Sequence, residues 1–185
     1  MRFIFVIFVL VITVLSCSKP KTRNGDHSTS ALPPLAPGTE SRHVSITTGN
    51  VTPAELITFA RSLKGVPYKY GSVNPEQGFD CSGFVTCVFN HFGIRVPRPS
   101  VDFTFVNQPV SIEKARPGDL ILFTGSDSST RVVGHIGIVV SNHGGDLKFI
   151  HATSRKNYGV METALTHYYQ IRYMKTIRVF KQNDK

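Results

Sequence analysis

Gly78-Phe79-Asp80-Cys81-Ser82-Gly83-Phe84 sets a cysteine directly after an aspartate and ahead of an apolar run that closes at Phe92-Gly93. Aspartate is a preferred helix N-cap, because its carboxylate accepts backbone N–H groups that the first turn leaves unpaired. The stretch therefore predicts a helix over residues 81–92, stopped by Gly93, with Cys81 at its first position. Orphan N–H groups and the helix dipole favour negative charge there, and helix N-termini lower cysteine pKa values toward the nucleophilic thiolate. The same N–H groups can steady an oxyanion on an attacked carbonyl. Gly83 leaves space for another segment to lie against the helix start. Cys81 is a candidate nucleophile.

A partner for it lies 54 positions further on, in Gly134-His135-Ile136-Gly137-Ile138. Ile136, Ile138 and Val140 alternate as one face of a strand, which puts His135 and Gly137 on the other. An imidazole beside a thiol can take its proton and later return it to a leaving amine. Gly144-Gly145-Asp146 predicts a turn, after which the strand ending in Phe149-Ile150-His151 folds back and brings His151 toward His135. A second histidine can accept a hydrogen bond from the first and so orient it.

The other elements follow from local punctuation. Thr52-Pro53-Ala54-Glu55 combines an N-cap, a proline at the first helical position and a capping-box glutamate. Leu56, Ala60 and Leu63 then recur at helical spacing up to Gly65. Residues 119–124, 134–141, 147–151 and 176–180 read as short β-rich strands, with a short helix expected over 162–169 between the last two. Helices first and an antiparallel sheet afterwards predict an α+β fold.

Ahead of this domain, residues 1–16 read as a leader. Phe3 to Leu15 is apolar except for Thr13, which is shorter than the roughly 20 residues a spanning helix needs. Leu15-Ser16-Cys17 resembles a bacterial lipobox, in which Cys17 carries the lipid. Residues 17–50, rich in Ser, Thr, Pro and basic side chains, read as a flexible tether, and residues 51–182 as one domain. No repeat or separate wall-binding module is visible. Ser18 in place of an aspartate favours the outer membrane facing the periplasm.

The chain of 185 residues has a formal net charge of +9. That suits an anionic neighbour such as cell-wall polymer or lipid headgroups. No aromatic-studded basic motif points to nucleic acid. Export implies an oxidising compartment, where cysteines usually pair. Six residues along one helix, however, separate Cys81 and Cys87 by about 9 Å, beyond the roughly 7 Å reach of a disulfide.

From about Val51 to Phe180 the chain resembles the NlpC family of bacterial cell-wall cysteine peptidases, a papain-like group. The motifs are Gly65-Val66-Pro67-Tyr68, Asp80-Cys81-Ser82-Gly83, Pro97-Arg98, Pro117-Gly118-Asp119-Leu120, His135-Ile136-Gly137-Ile138 and Ile150-His151-Ala152, in that order. The resemblance implies a Cys81–His135–His151 triad, with the Tyr68 hydroxyl polarising the substrate carbonyl. It places Asp80, Ser82 and Ser100 along the substrate groove. It further implies hydrolysis of γ-D-glutamyl–diamino-acid bonds in peptidoglycan stem peptides, without a cofactor or metal, by a monomer. Three features depart from the pattern. Residues 125–133 form a longer, more polar loop, Pro99-Ser100 lacks the acidic residue some members carry, and Gly71-Ser72 replaces a glycine pair.

Rival readings remain. Cys87 and His91 share a helix face, as metal ligands would, but no short paired ligand spacing accompanies them. A related amidase group cuts the N-acetylmuramoyl–L-alanine bond with Cys and His. A wall-binding lipoprotein without catalysis is the third reading. Tyr168, Tyr169 and Tyr173 are read as helix-to-sheet packing rather than a carbohydrate platform.

Overall fold

The computed structural model describes residues 44–106, 108–155 and 159–184. The expected leader, Cys17 and most of the expected tether lie outside the described residues.

Helix α1 (Pro53–Ser62) starts on a complete capping box. The Thr52 hydroxyl accepts the Glu55 N–H, and the Glu55 carboxylate accepts the Thr52 N–H at 2.8 Å. Helix α2 (Cys81–His91) starts on Asp80, whose carboxylate accepts the Gly83 N–H at 2.6 Å. Its inward face is Phe84, Val85, Val88 and Phe89, all buried. Gly93, at φ +71°, turns the chain away after the helix.

The sheet comprises β1 (Pro109–Val110), β2 (Leu120–Thr124), β3 (Val133–His143), β4 (Asp146–Thr153), β5 (Gly159–Ala164) and β6 (Tyr173–Ile177). Its order is β1-β6-β2-β3-β4-β5, with every pairing antiparallel. Gly144 and Gly145, at φ +60° and +94°, supply the two left-handed positions of a two-residue hairpin between β3 and β4. Both faces of the sheet are covered. Leu120, Leu122, Ile136, Ile138 and Ile150 join α1 and α2 in the main core. Ile121, Phe123, Val139 and Phe149 face a second cluster with Tyr169. Full burial of such a side chain contributes about 1.5–3 kcal/mol relative to exposure.

Three expectations need correction. Residues 162–164 belong to β5, because Lys148 to Thr153 of β4 pair continuously with Ala164 to Gly159. Strand pairing thus overrides the helical reading, and only a short helix α3 (His167–Gln170) follows. Strand β6 begins at Tyr173, and β1 is a two-residue edge strand too short to leave a periodic signal. Finally, the end of the expected tether is part of the domain. The Val44 N–H donates to the Phe105 carbonyl at 3.0 Å, and Val44 and Ile46 pack against the main core.

Candidate active site

Cys81 opens α2 with 8% of its surface exposed, and its thiol faces the Gly134 carbonyl at 3.8 Å. The loop preceding the helix is tied down by backbone bonds from Phe79 N–H to Pro67 C=O (2.9 Å), Lys69 N–H to Phe79 C=O (3.0 Å) and Asp80 N–H to Ser72 C=O (3.2 Å). These hold Tyr68 alongside the helix start, where it lines the same cavity as Cys81. A Cβ on Gly83 would sit 2.0 Å from the Ser72 carbonyl oxygen, so only glycine lets this loop lie so close.

Asp80 has a second set of bonds. Arg98 Nη1 and Nη2 donate to its two carboxylate oxygens at 3.0 and 2.6 Å, and Nη1 also donates to Ser82 Oγ at 2.9 Å. Ser82 in turn donates to Asp80 at 3.3 Å. Burial pushes the Asp80 carboxyl up, but Arg98 and the Gly83 N–H outweigh it and hold the group below the usual carboxylate range. The polar atoms of Asp80 and Ser82 are therefore occupied in fixing the helix start. Neither lines the cavity beside Cys81, and nor does Ser100, which begins a 3₁₀ turn (Ser100–Phe105).

The thiol departs from the electrostatic expectation. Burial pushes Cys81 up and the Asp80 charge adds to this, while backbone N–H groups of Ser82, Ile136 and Cys81 pull the other way without prevailing. Helix-start N–H groups are thus present, but desolvation of the thiolate wins.

The imidazole side is built by strand register. Ile138 pairs with Ile150, and continuing that ladder sets Gly137 opposite His151 and makes His135 its diagonal neighbour, within reach for a long side chain. His135 Nε2 and His151 Nδ1 meet at 2.7 Å. Gly137 provides the clearance, since a Cβ there would lie 2.7 Å from the Phe149 ring and 3.3 Å from His151 Cβ. The β2–β3 ladder breaks between Phe123↔His135 and Thr124↔Val133, leaving Gly134 as the extra residue of a bulge. Bulges re-aim neighbouring groups, and this one presents the Gly134 carbonyl to the Cys81 thiol.

One residue beyond the sequence reading joins the two histidines. His151 Nε2 lies 3.0 Å from Thr163 Oγ1, on the diagonal neighbour across β5. Burial, with the Arg172 charge adding to it, pushes His135 down to about 3. Burial first, then His135 and Arg172, pushes His151 well below the ordinary imidazole value. Both rings are thus neutral, with one proton each. If Thr163 accepts from His151 Nε2–H, His151 Nδ1 is an acceptor and His135 must donate through Nε2–H. His135 Nδ1, which has no hydrogen-bond partner among the described residues, is then the free base.

Cys81, His135 and Tyr68 share a cavity of about 220 Å³ with Thr153, Arg155, Tyr168 and Arg172. Gly125 and Ser126, the first residues of the long polar loop, also line it. The tyrosines separate in role. Tyr169 packs inward on Phe123, Phe149 and both histidines, as expected of packing. Both tyrosines line the cavity, and the Tyr168 ring there carries the guanidinium groups of Arg155 and Arg172 against it. His91 is stacked on Phe59 at 3.6 Å between ring centroids, a packing role. Arg155, Thr163 and Arg172 escaped sequence reading, and Tyr168, read as packing, lines the cavity; the one usable signal was the β-pattern of Val160 to Thr163.

The NlpC/P60 family model matches residues 65–178. The chain is 31% identical over 129 residues to the gamma-DL-glutamyl hydrolase of Bacillus subtilis, covering 69% of this chain and 30% of that protein. It is 32% identical over 122 residues to the murein DD-endopeptidase MepS/murein LD-carboxypeptidase of Escherichia coli, covering 65% of this chain and 59% of that one. The chain thus spans less than two thirds of the length of either curated relative. A solved NLP/P60-family structure from Staphylococcus aureus, described as similar to a lipoprotein, superposes with a TM-score of 0.61 at 28% identity, over 72% of this chain and 43% of that one. The helix-capped cysteine and antiparallel sheet of this chain agree with these comparisons, and the chain belongs to the NlpC/P60 family, with that family's papain-like α+β fold.

Proposed function

We propose that this protein is a cysteine endopeptidase of the cell envelope that hydrolyses γ-D-glutamyl–diamino-acid bonds in peptidoglycan stem peptides, with Cys81, His135 and His151 as its triad. The observation that carries this reading is the 2.7 Å contact between His135 and His151 at the cavity that also holds the Cys81 thiol. A binding protein has no need of an oriented base beside a free thiol. The reaction is hydrolysis by a thiol and an imidazole, without cofactor or metal.

In the first half-reaction Cys81 Sγ attacks the carbonyl carbon while His135 Nδ1 takes the thiol proton. Tyr68 and the N–H groups at the start of α2 are positioned to hold the oxyanion. The C–N bond then breaks, and His135 returns the proton to the leaving nitrogen. In the second half-reaction His135 takes a proton from water, whose oxygen attacks the thioester. Cleavage of the C–S bond releases the carboxylic acid and restores the thiol. His151 keeps its tautomer throughout, because His135 Nε2–H is its donor in both the neutral and the charged state.

The two curated relatives carry different bond names, a gamma-DL-glutamyl hydrolase and a DD-endopeptidase/LD-carboxypeptidase. Both are hydrolases acting on D-residue linkages, and neither is named an amidase. Digestion of purified peptidoglycan, with fragments identified by mass spectrometry, tests the bond. New termini at D-glutamate and the diamino acid are expected. Release of L-alanine-headed peptides from muramic acid would establish the amidase reading in its place.

The envelope location rests on the sequence of residues 1–17. We propose cleavage before Cys17, lipidation of that residue, a tether whose distal end joins the domain near Val44, and a monomer facing the periplasm from the outer membrane. Loss of labelled fatty acid from Cys17→Ala is the expected check.

A further inference from the structure

The cavity beside Cys81 carries two positive charges and no negative one. Arg155 and Arg172 line it, and none of its lining residues is Asp or Glu. The guanidinium carbons of Arg155 and Arg172 lie 3.9 and 4.6 Å from the centroid of the Tyr168 ring. The ring face attracts both cations and gathers them at one place.

Arg172 is only 7% exposed. Its Nη2 donates to the carbonyls of Thr124 (2.9 Å) and Gly125 (2.5 Å), and its Nη1 to the Tyr168 hydroxyl. Every one of these acceptors is neutral, and Nε has no hydrogen-bond partner among the described residues. The buried Arg178 is built differently, against the Asp119 carboxylate, and the half-exposed Arg98 is likewise paired with Asp80. Among the described residues no carboxylate meets Arg155 or Arg172. A buried charge without a counter-ion is costly, and an incoming anion would offset that cost.

The side of the site follows from the neighbours. Arg172 lies just after α3, whose Tyr169 ring is 6.4 Å from the His135 ring and nearly parallel to it. The arginines therefore stand on the imidazole side of the thiol. In the proposed reaction His135 hands its proton to the leaving nitrogen, so the leaving segment occupies that side.

We propose that Arg155, Tyr168 and Arg172 form a subsite for a carboxylate on the leaving segment, so that the enzyme prefers a free diamino-acid carboxylate over its carboxamide. Arg172 supplies a fixed charge. Arg155 is exposed, with its head group stacked on Tyr168, and is the fork that reaches the ligand. Carboxylate at this point also counters the Arg172 charge, which adds to burial, the larger cause, in holding down the basicity of His135.

This assignment rests on the endopeptidase reading, and the test separates the two. Two synthetic stem peptides with the same acyl half, differing only as carboxylate or carboxamide on the leaving diamino acid, are compared with wild type, Arg155→Gln and Arg155→Lys. Wild type is expected to favour the carboxylate by about 10-fold or more in kcat/KM, the effect of a charge-assisted pair. Arg155→Gln reduces the ratio below about 2-fold, and Arg155→Lys, which keeps the charge without the fork, falls between. Equal cleavage of both peptides by wild type, or an undiminished ratio in Arg155→Gln, would overturn the subsite alone. Cleavage of neither peptide would overturn the endopeptidase reading and the subsite with it.

Discussion

The helix start behind Cys81, outside the cavity, and the imidazole wall, inside it, each hold an arginine bonded into the structure, Arg98 and Arg172, and the two are treated in opposite ways. At the helix start Arg98 is matched by Asp80 in a two-pronged ion pair that also holds Ser82. On the imidazole wall Arg172 is more deeply buried and meets only carbonyls and a phenol. The first region is electrostatically closed and serves to fix one sulfur atom. The second has charge to spare, which adds to burial in depressing the histidines and, in the proposed subsite, meets an anion. Rigidity belongs to one region and responsiveness to the other.

Removing the nucleophile gives the largest effect on that contrast. Cys81→Ala is expected to lose about 10⁴-fold or more in peptide hydrolysis while keeping its fold, as activity assays and circular dichroism would show. His151→Ala comes next, with a loss of about 10²–10³-fold in kcat because His135 loses the acceptor that sets its tautomer. Comparable activity in His151→Ala would remove the relay from the mechanism. At the helix start Arg98→Ala leaves the Asp80 carboxylate poorly paired, and a loss of about 1–3 kcal/mol in denaturant unfolding is expected. Thr163→Val is the smallest of the substitutions, with about 1 kcal/mol lost and a several-fold lower kcat.

Acid separates the two regions without mutation. His135 and His151 are neutral when folded, with pKa values below the ordinary 6.5. The unfolded chain binds those protons first, so stability present above about pH 6.5 is lost as the pH falls below it. Each imidazole contributes up to about 1.4 kcal/mol per pH unit. Chemical denaturation at stepped pH checks this, and His151→Gln should flatten the slope.

The helix start was largely legible before any coordinates. Asp80 as N-cap and Cys81 at the first helical position depend on neighbours within three residues, and Gly83 flagged a close approach whose partner, the Ser72 carbonyl, only the structure names. His135 and His151 were legible because one tight Gly144-Gly145 turn ties their strands together. The rest of the imidazole wall was not. Thr163 depends on a third strand whose pairing overrides a helical reading, and Arg172 and Arg155 approach each other only through Tyr168 on α3. The thiol pKa was misjudged for a related reason. The helix start is a local feature, whereas the burial that outweighs it comes from the whole fold.

The central claim is that Cys81, activated by His135, is the atom that attacks a stem-peptide carbonyl. An acyl-γ-D-glutamyl fluoromethyl ketone tests it most directly, with the adduct located by peptide mass mapping. The account predicts one adduct, on Cys81, formed in step with loss of activity and slowed strongly in His135→Ala. An adduct on Cys87 with Cys81 unmodified, or full inactivation of Cys81→Ala by the same reagent, would contradict it.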